Sequence, residues 1–438
     1  MRTAGIIAEY NPFHNGHLYQ IEEVRKQTGS DYVVVVMSGD FVQRGEPAIF
    51  DKYTRTHMAL AAGADLVFEL PVPFATASAE LFAQGAVSLF DQTGIIDLLC
   101  FGSESGSLDD LKRLADVLAT EPETYVQSLK KFLKEGNSFP LARELALRAS
   151  LGAECSLSSP NDILGVEYLK ALIRTGSTIE PFTIRREGQH YNDATNPESL
   201  GSFPSASALR ALICENSKRR SPEELFKKLS PWIPASALEA LRQEQALLTP
   251  VFVDDFSLLL NSRILELSKN QVPFEQFADL SPELASRLGA SILNFDSFSG
   301  RIAALKSRQL TYTRISRALL HLLLGIESEA KSPVEAADVS TAQLPYEERG
   351  KQRKKSERLP YARILGFRKS ASPLLSKLKA NSSIPILTKI AGAEAKLSED
   401  GVQMLREELF ASHLYQSVVF QKGRRMKNEY TRSIVLLP

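Results

Sequence analysis

Through the first hundred residues, short β-branched runs alternate with longer amphipathic stretches, the rhythm of βαβ units laid on a parallel sheet. Strands are predicted at Thr3 to Glu9, Tyr32 to Met37, Asp65 to Glu69 and Ile96 to Phe101, with helices at His17 to Thr28, Asp51 to Ala62 and Ser78 to Gln92. That order predicts a doubly wound, Rossmann-like α/β sheet. Helical patterns continue from Leu108 to Ser150 and from Asn161 to Arg174, and a fifth strand follows from Thr178 to Arg186. The first domain is expected over 1–214. Residues 215–330 keep a helical period broken at Pro231, Pro234, Pro250, Pro273 and Pro282. A polar basic linker is expected over 331–358. A small α/β module is expected over 359–438, with candidate segments at Tyr361 to Phe367, Leu375 to Leu378 and Ile384 to Ile390 and a helix near Gly401 to Phe420.

The first strand runs into His14-Asn15-Gly16-His17, which opens a helix. Backbone N–H groups and the helix dipole favour an anion at such a place. Gly16 lets the main chain approach a ligand closely, and Pro12 stiffens the entry to the turn. His14 and His17 can each offer a phosphoryl group a hydrogen bond or a positive charge. A second element, Ser205-Ala206-Ser207-Ala208-Leu209-Arg210, places two hydroxyls at a helix start and an arginine one turn later, a cradle for distal phosphates. Alone, it reads as an ordinary Ser N-cap. Paired, the two motifs grip opposite ends of a triphosphate.

Lys plus Arg and Asp plus Glu number 52 each, so any nucleic-acid surface must be a local patch. Cys100, Cys155 and Cys214 lie far apart without C-x-x-C spacing, which argues against a zinc site and fits a reducing cytoplasm. The N-terminus reads as neither a signal peptide nor a membrane span, and nowhere does an apolar run approach the roughly 18 residues a spanning helix needs. A cytoplasmic protein is expected.

The H-x-G-H and S-x-S-x-L-R elements resemble the HIGH-type nucleotidyltransferase superfamily. The runs from Gly5 to His17, from Met37 to Pro47 and from Phe101 to Glu104 resemble the bacterial tRNA(Met) cytidine acetate ligases, and the likeness spans essentially the whole chain. The resemblance implies that ATP and acetate give acetyl-adenylate and diphosphate. The acetyl group then passes to the exocyclic amine of the wobble cytidine of elongator tRNA(Met), forming N4-acetylcytidine. It implies an ATP site built from Ile7, Ala8, Glu9, Tyr10, Asn11, Pro12, Phe13, His14, Asn15, Gly16, His17 and Gln20, together with Gly102, Asn161, Arg185, Arg186, Ser205, Ser207 and Arg210. His14 and His17 would stabilise charge at the α-phosphate while Ser205, Ser207 and Arg210 hold the leaving diphosphate, a scheme that needs no protein nucleophile.

From the residues alone, Gly102 can equally make a turn, Asn161 an N-cap, and Arg185-Arg186 a solvated strand end. Asp40 and Arg44, in the loop after the second strand, are further catalytic candidates. Asp40 would bind the Mg2+ that accompanies ATP or orient the acceptor, and Arg44 would pair with the acetate carboxylate; a turn-forming Asp after Gly39 is the plainer alternative. Lys52 and His57 are expected at the surface.

Two basic segments are candidates for tRNA. One holds Lys306, Arg308, Tyr312, Arg314 and Arg317, with Arg314 and Arg317 on one helix face and Ile315, Leu319 and Leu322 turned to a core. Tyr312 is placed to stack on a base. The other holds Lys351, Arg353, Lys354 and Lys355. A solvated basic face would look the same. No protein partner is indicated. Two other functions use the same first-domain motifs. A small-molecule adenylyltransferase leaves about two hundred residues unexplained. A non-catalytic RNA-binding protein on a nucleotide fold has no need of His14, His17, Ser205, Ser207 and Arg210 together.

Overall fold

The computed structural model describes residues 1–152, 157, 159–186, 205–217, 222–307, 310–328 and 358–438. In chain order the strands are β1 (Thr3–Ala8), β2 (Tyr32–Ser38), β3 (Phe41–Val42), β4 (Glu46–Pro47), β5 (Leu66–Leu70), β6 (Leu98–Ser103), β7 (Glu180–Arg185), β8 (Ala362–Arg368), β9 (Ile386–Leu387) and β10 (Val435–Leu437). The main sheet runs β10-β8-β5-β2-β1-β6-β7, with β9 on β8, while β3 and β4 form a separate two-stranded ribbon. All five strands expected in the first domain are present within two residues at either end.

From central β1 the chain passes to β2 and β5 on one side, then crosses back to β6 and β7 on the other, all in parallel. The order reverses between β1 and β6, so their carboxyl ends open a crevice there. Helices cover both faces, which is why β2 reads as a continuous apolar run. Val33, Val35 and Met37 pack in one layer with Val24, Met58 and Leu60; Val34 and Val36 pack in the other with Phe82, Val87 and Tyr168.

Strands from the C-terminal segment continue this sheet. β8 pairs antiparallel with β5, matching Leu66 to Phe367 and Glu69 to Arg363, and β9 and β10 pair parallel with β8. The stretch Leu375 to Leu378 lies inside the helix Ser372–Asn381, which Pro373 opens at its first turn. The long helix Glu399–Gln421 follows. In the chain between the two parts of the sheet, the helices Pro222–Leu229 and Ala235–Gln243 pack in the layer of Val33 and Val35, and those from Ser257–Lys269 to Tyr312–Leu324 gather a core of Ile264, Leu284, Ile302 and Leu319, joined by Tyr415 and Val418 of the long helix.

Candidate active site

His14 adopts an extended backbone as N-cap of the helix Asn15–Thr28. Its Nδ1 accepts the Gly16 N–H at 3.0 Å, and the His17 Nδ1 accepts the His14 N–H at 3.2 Å, a reciprocal capping box made by two imidazoles. The rings stack with centroids 3.8 Å apart, and Tyr10 and Phe13 close on His17 at 4.8 and 5.5 Å. Burial, and then the Arg186 guanidinium, hold His14 down at about 3. Burial, then His14, then Arg186 lower His17 well below the usual imidazole range. Both rings are therefore neutral at neutral pH. Since each Nδ1 is an acceptor, each proton sits on Nε2. Of the two options left open by the sequence, the geometry selects the hydrogen bond over the positive charge.

The helix start itself differs from expectation. The Asn15 N–H bonds the Trp232 carbonyl at 2.9 Å, the Gly16 N–H is taken by His14, and the His17 N–H reaches the His14 carbonyl at 2.9 Å. The donors left for an anion are thus imidazole Nε2–H groups, because the first main-chain donors are already used. The Asn15 side chain is also engaged, on the Pro231 carbonyl at 2.9 Å.

Ser205 caps its helix, accepting the Ala208 N–H at 3.2 Å. Arg210 donates to Ser207 Oγ at 3.1 Å and to the Asn11 carbonyl at 2.8 Å, so the two motifs meet although 199 positions separate Asn11 and Arg210. Asn11 Oδ1 accepts the Ile49 N–H at 2.8 Å and Glu9 Oε1 the Gln43 N–H at 3.0 Å, which ties the loop after β2 to the exit of β1. Arg44 lies in this corner. Burial pulls its guanidinium below its ordinary value, with Glu9 opposing and Arg210 reinforcing. Glu46, pushed up by burial beside Arg210 and Arg44, completes the corner and was not singled out from sequence. Ile7, Ala8 and Gln20 are half-buried, whereas Tyr10, Pro12 and Phe13 are buried and shape the turn by packing.

Across the crevice, Gly102 in β6 faces the stem of Arg186: a Cβ there would meet its Cγ at 3.1 Å. That close approach is a reason for glycine beyond a turn. Arg185 and Arg186 are both exposed, and the Arg186 N–H is fixed on the Ser103 carbonyl at 2.9 Å. Asn161 is not an N-cap, a role held by Ser159; its amide donates to Glu104 Oε1 at 2.5 Å. Glu104 was part of the quoted Phe101-Gly102-Ser103-Glu104 run, but its partner, a helix start 57 positions away, left no local signal.

Asp40 needs correction. It is 3% exposed, its carboxylate accepts the Lys52 N–H at 2.8 Å, and burial pushes it up to about 6. It anchors the loop from within and offers no open face to a metal. Among the described residues, no three His, Cys, Asp or Glu side chains could hold a metal ion.

Lys52 also needs correction, being fully buried. Its ammonium lies 2.6 Å from Glu69, 3.2 Å from Glu408 and 3.4 Å from Glu429, while Arg363 pairs with Glu69 at 2.9 Å and with Glu429. β8 and the helix Glu399–Gln421 cover this start of the helix Lys52–Ala61, which a sequence window around residue 52 cannot register. Burial and then Glu69 push Glu408 well above the carboxylate range, so it is protonated. Burial opposes ionisation of Glu69, but Arg363 and Lys52 outweigh it. Two cations therefore face two carboxylates. His57 is mostly covered, 3.7 Å from Glu244.

The first basic segment divides. Ile315, Leu319 and Leu322 are buried as expected, and Lys306, Tyr312 and Arg314 are exposed. Arg317, however, pairs with Asp279 at 2.9 Å. The same helix abuts the site loop: Ser316 Oγ donates to the Gly45 carbonyl at 2.8 Å, and a Cβ on Gly45 would meet the Arg317 N at 2.4 Å. Arg308, Lys351, Arg353, Lys354 and Lys355 lie outside the described residues.

A family model described as HIGH Nucleotidyl Transferase matches residues 1–430. A tRNA(Met) cytidine acetate ligase of Acetivibrio thermocellus is 38% identical over 100% of both chains. One of Caldanaerobacter subterraneus subsp. tengcongensis is 39% identical over 95% of each. Among solved structures, Thermotoga maritima TmcAL bound with alpha-thio ATP matches with a TM-score of 0.83 at 30% identity over 100% of both chains, and its apo form with 0.84.

Proposed function

The chain belongs to the tRNA(Met) cytidine acetate ligases of the HIGH nucleotidyl transferase family, and from that premise we propose that it activates acetate with ATP and acetylates the wobble cytidine of elongator tRNA(Met). One observation carries the site assignment: Arg210 joins Ser207 to Asn11, bringing the hydroxyl-rich helix start and the His14–His17 turn to one corner of the crevice. The α-phosphate belongs against the two imidazoles. Their Nε2–H groups donate to the phosphoryl oxygens as acetate attacks in line and charge builds there. Ser205, Ser207, Arg210 and Arg186 hold the diphosphate as it leaves. Gly102 leaves room for adenine at the carboxyl end of β6, and Asn161 donates to Glu104, two residues beyond Gly102 along the chain. Arg44 is the cation for the acetate carboxylate.

Mg2+ would arrive on the phosphates of ATP, since the described side chains form no cage for it and no step here needs one from the protein. The neutral state of both histidines matters to this scheme. A neutral donor strengthens with the developing charge without adding a buried cation beside Arg186.

The test is exchange of labelled diphosphate into ATP with acetate, with phosphorylated small molecules, and with no acceptor. Acetate-dependent exchange is expected, followed by transfer of labelled acetyl to elongator tRNA(Met). Exchange driven only by a phosphorylated acceptor, or absent under every condition, would overturn this function.

A further inference from the structure

A groove of about 890 Å³ runs beside the segment 422–432, on the flank of the sheet that carries the helix Lys52–Ala61. Five cations line it: Lys422, Arg424, Arg425, Lys427 and Arg432. Three carboxylates hold four of them in place. Lys422 pairs with Asp255 at 2.7 Å, Lys427 with Glu244 at 2.9 Å and Arg424 with the same Glu244 at 3.9 Å. Arg432 lies 3.4 Å from Asp51, with its guanidinium 3.8 Å from the centre of the Tyr53 ring. Arg425 is exposed and pairs with no carboxylate among the described residues. Five positive charges against three negative ones leave an excess of two, in a chain whose formal charge is zero. Met426 also lines the groove and is 42% exposed, while the ring of Tyr430 stacks on His413 with centroids 6.2 Å apart.

Cations set along an open trough of this size suit a polymer of phosphates, which meets them in turn. A free nucleotide would use a fraction of that length. The groove is also connected to the active site. Arg432 meets Asp51, which caps the helix Lys52–Ala61, and Ile49, two residues earlier, is held by Asn11 in the turn before His14.

We propose that this groove binds the sugar-phosphate backbone of the tRNA, with Arg425 neutralising a phosphate. The assignment rests on tRNA being the acceptor, as proposed above. It adds to the exposed candidates Lys306, Tyr312 and Arg314 a separate surface built around residues 422–432.

The experiment uses the full chain and two readouts: affinity for elongator tRNA(Met) across a KCl series, and acetate-dependent diphosphate exchange without tRNA. Arg425→Glu is expected to weaken tRNA binding about tenfold or more and to lower the log-log salt slope by about one, with exchange unchanged. Arg425→Lys should restore most of the affinity, and charge reversal at Lys130 and Lys131, on a remote exposed helix, should change nothing. In the wild type, tRNA should shield Met426 from oxidation. If the wild type binds tRNA but Arg425→Glu keeps its affinity and slope, and Met426 stays oxidisable, the groove is the wrong surface while tRNA remains the substrate. A wild type that exchanges diphosphate yet binds no tRNA sinks the acceptor assignment, and the groove with it. Should Arg425→Glu lose exchange as well, shielding of Met426 in the wild type decides the question.

Discussion

At the end of β1, two neutral imidazoles stack with their Nδ1 atoms tied to the main chain, leaving each Nε2–H without a protein acceptor among the described residues. On the same edge of the sheet, two strands away, Lys52, Arg363, Glu69, Glu408 and Glu429 lie buried and satisfy one another's charge. The first place keeps two donors open; the second is closed. Counting charged side chains would rank the closed cluster as the likelier active site, whereas the corner proposed for the chemistry is marked by donors held rigid by bonds at their far ends.

The comparison breaks most readily at Lys52. Lys52→Met leaves three buried carboxyl groups facing one Arg363, and chemical denaturation should show a loss of about 3–5 kcal/mol. A loss under about 1 kcal/mol would mean that the cluster is not the clasp between β5, β8 and the long helix. At the other corner, His14→Asn keeps a side-chain acceptor for the Gly16 N–H but removes the Nε2 donor. Stability should stay within about 1 kcal/mol of the wild type, while acetate-dependent exchange falls on the order of a hundredfold. Exchange within threefold of the wild type would remove the ring from the chemistry.

The smallest effect is in pH. His14, held at about 3 when folded and near 6.5 when unfolded, binds more protons in the unfolded chain between those values. Its contribution therefore favours the fold above pH 6.5 and erodes as pH falls. Between pH 7.5 and 5.5 the wild type should lose about 1 kcal/mol more than His14→Asn. Asp40, raised to about 6, acts with the opposite sign, stabilising most at low pH and losing that contribution as pH rises towards 6. It is present in both proteins and cancels from the difference. Equal pH profiles would show that His14 is not held neutral.

These two corners also separate what a sequence can disclose from what it cannot. His14, Gly16 and His17 fall within one turn, so their pattern is local, and β1, β2, β5, β6 and β7 follow from apolar runs a few residues long, whereas the two-residue strands β3 and β4 leave no such run. Lys52 and Glu408 are 356 positions apart. A lysine following Asp51 at a helix start carries no mark of the strand and helix that will later cover it, so surface exposure was the natural expectation. The imidazole tautomers were illegible for a similar reason, being set by which main-chain groups each ring accepts. The basic run Lys422-Gly423-Arg424-Arg425-Met426-Lys427 was not singled out from sequence, and the carboxylates that hold its neighbourhood come from Asp51, Glu244 and Asp255.

The place of β8 beside β5 has a consequence for how the protein is made. Nearly three hundred residues lie between these neighbours, which at about 5–20 residues per second is roughly 15–60 seconds of translation. Throughout that interval the nucleotide half can collapse around β1, β2 and β6, but β5 presents an open hydrogen-bonding edge and Glu69 awaits Arg363. The nascent chain therefore spends most of its synthesis with one border of its sheet unguarded.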